Sequence, residues 1–160
     1  MPPTMIIDGL EWQLIDAIDI MNEQSEAAHS FRIADAQDAW RNRQRLTFPD
    51  GVTVDETGVG HKGGYAEYEV KRVTPDMPLA VIRMMDYARA DYELEMYCNN
   101  QMAGVSICVG SDTVNRWRNW PFVIPAYFVN GDKIKIRQQA NKAEREINMF
   151  KYWFYQPTGW

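Results

Sequence analysis

The stretch that decides the fold is residues 92–105, YELEMYCNNQMAGV. In its first half apolar and polar side chains alternate, which places every second residue from Tyr92 to Cys98 on one face of a β-strand. Asn99 and Asn100 follow, and asparagine adopts left-handed backbone angles at low cost. The stretch therefore predicts a strand, a tight turn and a second strand.

Further strand patterns surround this hairpin. They cover residues 64–70, 79–85, 133–137 and 147–155. The last of them carries aromatic side chains on both faces, which is typical of a central strand that is covered on each side. Residues 25–45 and 138–146 lack such a pattern, and we interpret them as long loops that could include a helical turn. About eight or nine short strands with little helix predict an all-β protein, an antiparallel jelly-roll β-sandwich that forms a single domain over residues 1–160.

Composition and charge exclude several function classes. The chain has 17 basic and 22 acidic residues and a formal net charge of -5, so it presents no positive field for nucleic acid. No apolar run approaches the roughly 18 residues of a membrane span. The N-terminus lacks the features of a signal peptide. We therefore expect neither nucleic acid nor membrane as a partner, and a location in the cytoplasm, or outside the cell if a leader has been removed.

Cysteine and histidine offer little chemistry. Cys98 and Cys108 could form a disulfide across neighbouring strands, or they could be two buried free thiols, which is the commoner state for such residues. His29 and His61 are the only histidines. Because a zinc site needs about three protein ligands, we predict no metal and no cofactor. The order Ser25, Glu26, His29 is more typical of local backbone hydrogen bonding than of a catalytic motif.

A sugar-binding pattern lies in residues 116–119, which are Arg116, Trp117, Arg118 and Asn119. Aromatic rings stack on the apolar faces of sugars, and arginine and asparagine side chains hydrogen-bond sugar hydroxyl groups. Trp40 begins a smaller version of the same pattern. We predict these five residues as ligand-binding. The alternative is that Trp117 closes one end of the sandwich while the arginines pair with acidic neighbours.

Four segments together resemble the jelly-roll portion of glycoside hydrolase family 172. They are VIRMMDY (81–87), EMYCNNQMAGV (95–105), RWRNWPFVIP (116–125) and NMFKYWFY (148–155). The segments IDAIDI (15–20) and SEAAH (25–29) also resemble the start of the galactose-binding-like sandwich domains attached to β-L-arabinofuranosidases. The resemblance covers most of residues 12–155.

The resemblance implies a galactose-binding-like sandwich, a context of fructofuranosides or arabinofuranosides, and a trimeric or larger assembly. Members of the family are longer than this chain, pair two jelly rolls and build their active sites from carboxylates at a subunit interface. No carboxylate pair of this sequence matches theirs. The acidic pairs Glu67 and Glu69, and Glu93 and Glu95, are more typical of the solvated face of a sheet.

These observations favour a non-catalytic carbohydrate-binding domain that forms a homo-oligomer or docks beside a catalytic subunit. One alternative is a small glycoside hydrolase, or a subunit of one, whose active site is shared between chains. Another is a structural assembly protein, because six Trp, eight Tyr and nine Met are residue types that interfaces favour.

Overall fold

The computed structural model of the protein describes residues 1–47 and 51–160. Within these residues there are thirteen strands, one α-helix and two 3₁₀ helices. Sheet A contains, in spatial order, β1 (Thr4–Ile7), β2 (Leu10–Asp19), β13 (Lys151–Pro157), β7 (Leu79–Asp86) and β10 (Trp117–Ile124). Sheet B contains β3 (Arg32–Ala34), β6 (Tyr65–Val70), β11 (Ile134–Ala140), β8 (Tyr92–Cys98) and β9 (Gln101–Cys108). Sheet C contains β12 (Glu146–Met149), β5 (Thr53–Lys62) and β4 (Asp38–Thr47).

The core lies between sheets A and B. Alternating side chains of both sheets are buried there, and the ring of Tyr68 from β6 lies 4.6 Å from that of Tyr152 and 5.8 Å from that of Phe154, both from β13. All ten strand pairings are antiparallel. Two antiparallel sheets packed face to face confirm the predicted jelly-roll β-sandwich.

The hairpin at the centre of the sequence argument is confirmed. Asn99 and Asn100 both have left-handed φ angles, 48° and 67°, and they join β8 to β9. The predicted strand 147–155 is two strands, because the chain passes from β12 of sheet C to β13 of sheet A at Phe150. β13 lies between β2 and β7 and is thus a central strand, as its two aromatic faces predict.

The prediction of a long loop over residues 25–45 is wrong. The α-helix α1 (Glu23–Ala28) ends in this segment, which also contains β3 and most of β4. β4 pairs with β5 at all ten of its positions, but it is an edge strand whose side chains are mostly exposed. Since little of β4 is buried, its sequence carries no apolar alternation. The second predicted loop is too long, because β11 continues to Ala140.

The two cysteines are free and buried. Cys98 is aligned with Gln101 and Cys108 with Tyr92, so the two thiols lie at opposite ends of the same hairpin and the disulfide alternative is wrong. Burial raises the pKa of the Cys98 thiol to about 11.

Among the described residues, no helix is long and apolar enough to cross a membrane.

Candidate functional site

The candidate site is at one end of the sandwich, where β7 ends and β10 begins. Antiparallel pairing aligns Asp86, the last residue of β7, with Trp117, the first residue of β10. A 3₁₀ helix, Tyr87–Arg89, leads away from β7 at the same end. Residue 150 joins β12 to β13 here, and its backbone N–H donates to the Met84 carbonyl. Residues remote in the sequence therefore converge at this end.

Three aromatic side chains, Trp40, Trp117 and Phe150, form what we term the end cluster. The Trp117 ring meets Phe150 edge to face, with centroids 4.3 Å apart. The Trp40 ring lies 6.3 Å from Phe150 on a tilted plane. Both tryptophans are half-buried, whereas Phe150 is buried. The two tryptophans that the sequence indicates as ligand-binding thus meet at one phenylalanine.

Two glycines of β5 make room for the end cluster. A Cβ atom on Gly60 would lie 2.4 Å from the indole of Trp40, and a Cβ atom on Gly58 would lie 2.4 Å from the ring of Phe150. Any side chain at either position would therefore displace an aromatic ring. The end cluster packs directly against the backbone of sheet C.

Both indole N–H groups of the end cluster are buried, and neither has a hydrogen-bond acceptor among the described residues. A buried tryptophan N–H usually finds a partner. Leaving such a group unpaired costs about 1–3 kcal/mol. The unpaired N–H groups therefore make the end cluster more costly than an aromatic core without polar atoms.

Arg116 forms a two-point ion pair with Asp86. Its Nε and Nη2 atoms donate to the two carboxylate oxygens at 3.0 and 2.5 Å. The hydrogen bond with Asp86 raises the pKa of Arg116. Asp86 also accepts from the backbone N–H of Ala88 and thereby caps the 3₁₀ helix. Arg116 therefore holds the end of the sandwich together, as the structural alternative predicts.

Arg118 and Asn119 lie apart from the end cluster. The Arg118 guanidinium group donates to Asp112 at 2.7 Å and lies 4.1 Å above the ring of Tyr87. Asn119 is exposed, and its amide nitrogen lies 3.6 Å from the sulfur of Met1. Of the five predicted ligand-binding residues, the structure brings only Trp40 and Trp117 into one cluster, with Arg116 beside them.

An open cleft of about 580 Å³ adjoins the end cluster. This volume lies within the range of roughly 300–1,000 Å³ that is usual for small-molecule sites. We term it the charged cleft, and its polar lining is Lys62, Arg89, Asp91, Ser111, Glu144, Arg145 and Glu146. Arg89 borders both the cleft and the recess formed by Trp40 and Phe150.

Two partly exposed ion pairs cross the charged cleft. Arg89 donates to Glu146 at 2.9 Å, and Arg145 lies 3.0 Å from Asp91. The side chains of Arg89 and Arg145 are 52% and 42% exposed, so part of each guanidinium group is open to a ligand. Sequence reasoning missed this cleft, because its residues come from four separate segments and share no motif.

The histidines have structural partners. His29 contacts the Ser25 carbonyl through Nδ1 at 2.6 Å, which is the local backbone contact that the motif predicts. Its Nε2 lies 3.1 Å from Asp16, a contact that the sequence did not indicate. His61 contacts the Gly63 carbonyl through Nδ1 at 2.8 Å, and burial lowers the pKa of its ring. Within residues 1–47 and 51–160, no three His, Cys, Asp or Glu side chains are grouped so as to hold a metal ion.

The fold and the end of the sandwich together define a β-sandwich domain with an aromatic cluster beside a polar cleft. A family 35 carbohydrate binding module from Clostridium thermocellum has a similar structure, with a TM-score of 0.50 and 19% identity over 78% of this chain and 96% of that one. The extracellular domain of ANXUR2 from Arabidopsis thaliana is also similar, with a TM-score of 0.56 and 9% identity over 93% of this chain. The match covers 50% of the ANXUR2 domain, so this chain spans about half its length. No protein-family model and no curated protein matches the sequence.

Proposed function

We propose that the chain is a non-catalytic carbohydrate-binding domain whose ligand occupies the charged cleft and contacts the end cluster. The observation that carries this proposal is the meeting of Trp40 and Trp117 at Phe150, beside a cleft with exposed guanidinium groups. The similar structure of a family 35 carbohydrate binding module supports it. We further propose that residues 1–160 act as one domain, accessory to a glycoside hydrolase.

Each part of the site matches one part of a sugar. A sugar ring has an apolar face of C–H groups, which stacks on an indole, and a rim of hydroxyl groups, which need donors and acceptors. Arg89 and Arg145 offer N–H donors, and Asp91 and Glu146 offer acceptors already held in place by those arginines. Because these pairs are fixed before binding, a ligand loses less affinity to side-chain ordering.

Hydrolysis is the second candidate, and the cleft favours it less. A glycosidase of the usual kind needs one carboxyl group that donates a proton to the leaving oxygen. Asp91 and Glu146 each form an ion pair with a guanidinium group, which suits a fixed hydrogen-bond acceptor better than a group that delivers a proton. The acidic pairs weighed from the sequence lie elsewhere and have partners. Glu67 pairs with Arg32 and Glu69 with Lys133. Glu93 accepts from Asn141, and Glu95 accepts from Tyr97.

Replacement of Arg89 by alanine tests the proposal. Arg89 is 52% exposed, so Arg89→Ala should change the free energy of unfolding by no more than about 0.5 kcal/mol. It should also weaken sugar binding roughly ten-fold, because a charge-assisted hydrogen bond contributes about 1.5–3 kcal/mol. A glycan array first identifies the oligosaccharides that the wild type binds. Isothermal titration calorimetry then measures their affinities for the wild type and for the variant.

The matched control is Arg43→Ala. Arg43 is 71% exposed and pairs with Asp55 on sheet C, outside the charged cleft, so its removal should leave affinity unchanged. Equal affinities of the wild type, Arg89→Ala and Arg43→Ala would contradict the assignment of the cleft. Release of reducing sugar by the wild type would favour the hydrolase instead.

A further inference from the structure

The two longest uncharged runs of the sequence lie at one side of the sandwich. Residues 96–111 and 119–131 contain no Asp, Glu, Lys or Arg, and no other run in the chain is as long. They include all of β9 and most of β10, the edge strands of sheets B and A. A Cβ atom on Gly104 would lie 2.8 Å from the ring of Phe122, so the two edges lie against each other.

The β9 edge exposes a row of apolar side chains. Met102, Val105 and Ile107 are aligned with Tyr97, Glu95 and Glu93 of β8, on the outer face of sheet B. Their exposed fractions are 43%, 42% and 58%, and Val109 beyond the strand is 57% exposed. Large aliphatic side chains exposed in a continuous row are unusual on a free surface and mark interaction sites.

β9 also lacks the features that normally protect an edge strand. Charged residues, proline and short length discourage pairing of edges between molecules. Of the other edge strands, β1, β3 and β12 are only three or four residues long, β10 contains Pro121, and β4 carries Asp38 and three arginines. β9 has eight residues, with neither charge nor proline, and one register shift that leaves Val105 to Cys108 regularly paired with β8.

We propose that β9 pairs with β9 of a second copy of this chain, antiparallel across a two-fold axis. The charge distribution favours a second copy of this chain as the partner of β9. Copies with a net charge of -5 repel each other over most of their surface, but here the contact itself is neutral. The nearest acidic row, Glu93 and Glu95 on β8, would lie three strand spacings from its equivalent, about 14 Å, which exceeds the screening length of about 8 Å at physiological salt.

The geometry of such a pair is self-complementary and closed. A two-fold axis through Ser106 aligns Val105 with the second copy's Ile107, and Ile107 with the second copy's Val105, so the apolar rows join on one face of a ten-stranded sheet. Each copy uses the one free edge of its β9, so assembly stops at the dimer. The inference is independent of carbohydrate binding.

Sedimentation equilibrium over a range of protein concentrations tests the dimer. The wild type should change from the monomer mass of 18.6 kDa to twice that value. Ile107→Lys should weaken association at least ten-fold, because lysine on an edge strand blocks pairing. The control Ile6→Lys alters an isoleucine on β1 that is 68% exposed, against 58% for Ile107. Ile6 lies at the edge of sheet A opposite β10, and the variant should dimerise as the wild type does.

Circular dichroism spectra identical to that of the wild type should show that both variants fold, since both positions are exposed. Amide hydrogen exchange of residues 105–108 should slow as the dimer forms in the wild type and not in Ile107→Lys. A wild type that remains a monomer at all concentrations, a dimer that survives Ile107→Lys, or a larger oligomer would each overturn the proposal.

Discussion

At the scale of single residues, Gly60 determines how closely the ring of Trp40 approaches the backbone of β5. Gly60→Ala would place a methyl group 2.4 Å from the indole. We expect the variant to lose about 1–3 kcal/mol of unfolding free energy, the usual cost of overpacking, and to bind sugar more weakly because the indole is displaced. Urea denaturation and calorimetry measure the two effects.

Gly159→Ala is the control for this change. Its Cβ atom would meet nothing within 4 Å and its φ angle is not left-handed, so stability and binding should match the wild type. A Gly60→Ala protein as stable as Gly159→Ala would show that the Trp40 ring is not held against β5.

Residue types alone indicated Trp40 and Trp117 as candidate ligand contacts, because few other side chains offer both a flat ring and a polar N–H. The sequence could not decide the role of Arg116. Its pairing with Asp86 depends on the alignment of β7 with β10, which brings together residues 30 positions apart. The choice between a ligand contact and an ion pair is therefore made by strand register.

At the scale of elements, the two asparagines of the turn between β8 and β9 should contribute differently to the free energy of unfolding. Both residues adopt left-handed φ angles, where alanine costs about 1–2 kcal/mol. Asn99 also donates to Asn130 at 2.8 Å and accepts from the Lys135 N–H at 2.9 Å. Asn99→Ala should therefore lose about 1–2 kcal/mol more than Asn100→Ala, since each hydrogen bond contributes about 1 kcal/mol.

Urea denaturation of the two turn variants gives this comparison directly, and each serves as the control for the other. Equal losses would mean that the Asn99 side chain does not connect the turn to β11.

The predictable elements are those with local signals. The alternation of apolar and polar residues and the Asn-Asn turn are sufficient to predict β8 and β9, because these paired strands are adjacent in the sequence. β4 was missed because its ten residues contain three arginines and face mostly solvent. Its strand conformation is set by pairing with β5, a tertiary effect that no short window of sequence contains.

At the scale of the whole molecule, sheet C explains why the site is at one end. β5 supplies the glycines, β4 supplies Trp40, and β12 leads into Phe150, while sheets A and B form the core behind them. The charged cleft opens between the segments that join these sheets. The overall sandwich follows from the strand patterns, but the cleft depends on how three sheets meet.

Dimerisation through β9 would determine how two such sites are arranged. Gly110 and Ser111, which line the charged cleft, lie two and three residues beyond the end of β9. Antiparallel pairing sends the ends of the two β9 strands in opposite directions, so the two clefts would open at opposite ends of the dimer. A dimer of this kind would bind two separate carbohydrate chains rather than one chain at two sites.

The most direct test of carbohydrate binding at the end cluster is a ¹H–¹⁵N spectrum of the six tryptophan indoles during titration with oligosaccharides. Trp12 is packed on the outer face of sheet A and Trp160 is exposed at the C-terminus, so both serve as internal controls. The account predicts saturable shifts of the Trp40 and Trp117 signals, with Trp12 and Trp160 unchanged. Saturable binding that leaves Trp40 and Trp117 unmoved, or no shift with any oligosaccharide, would contradict it.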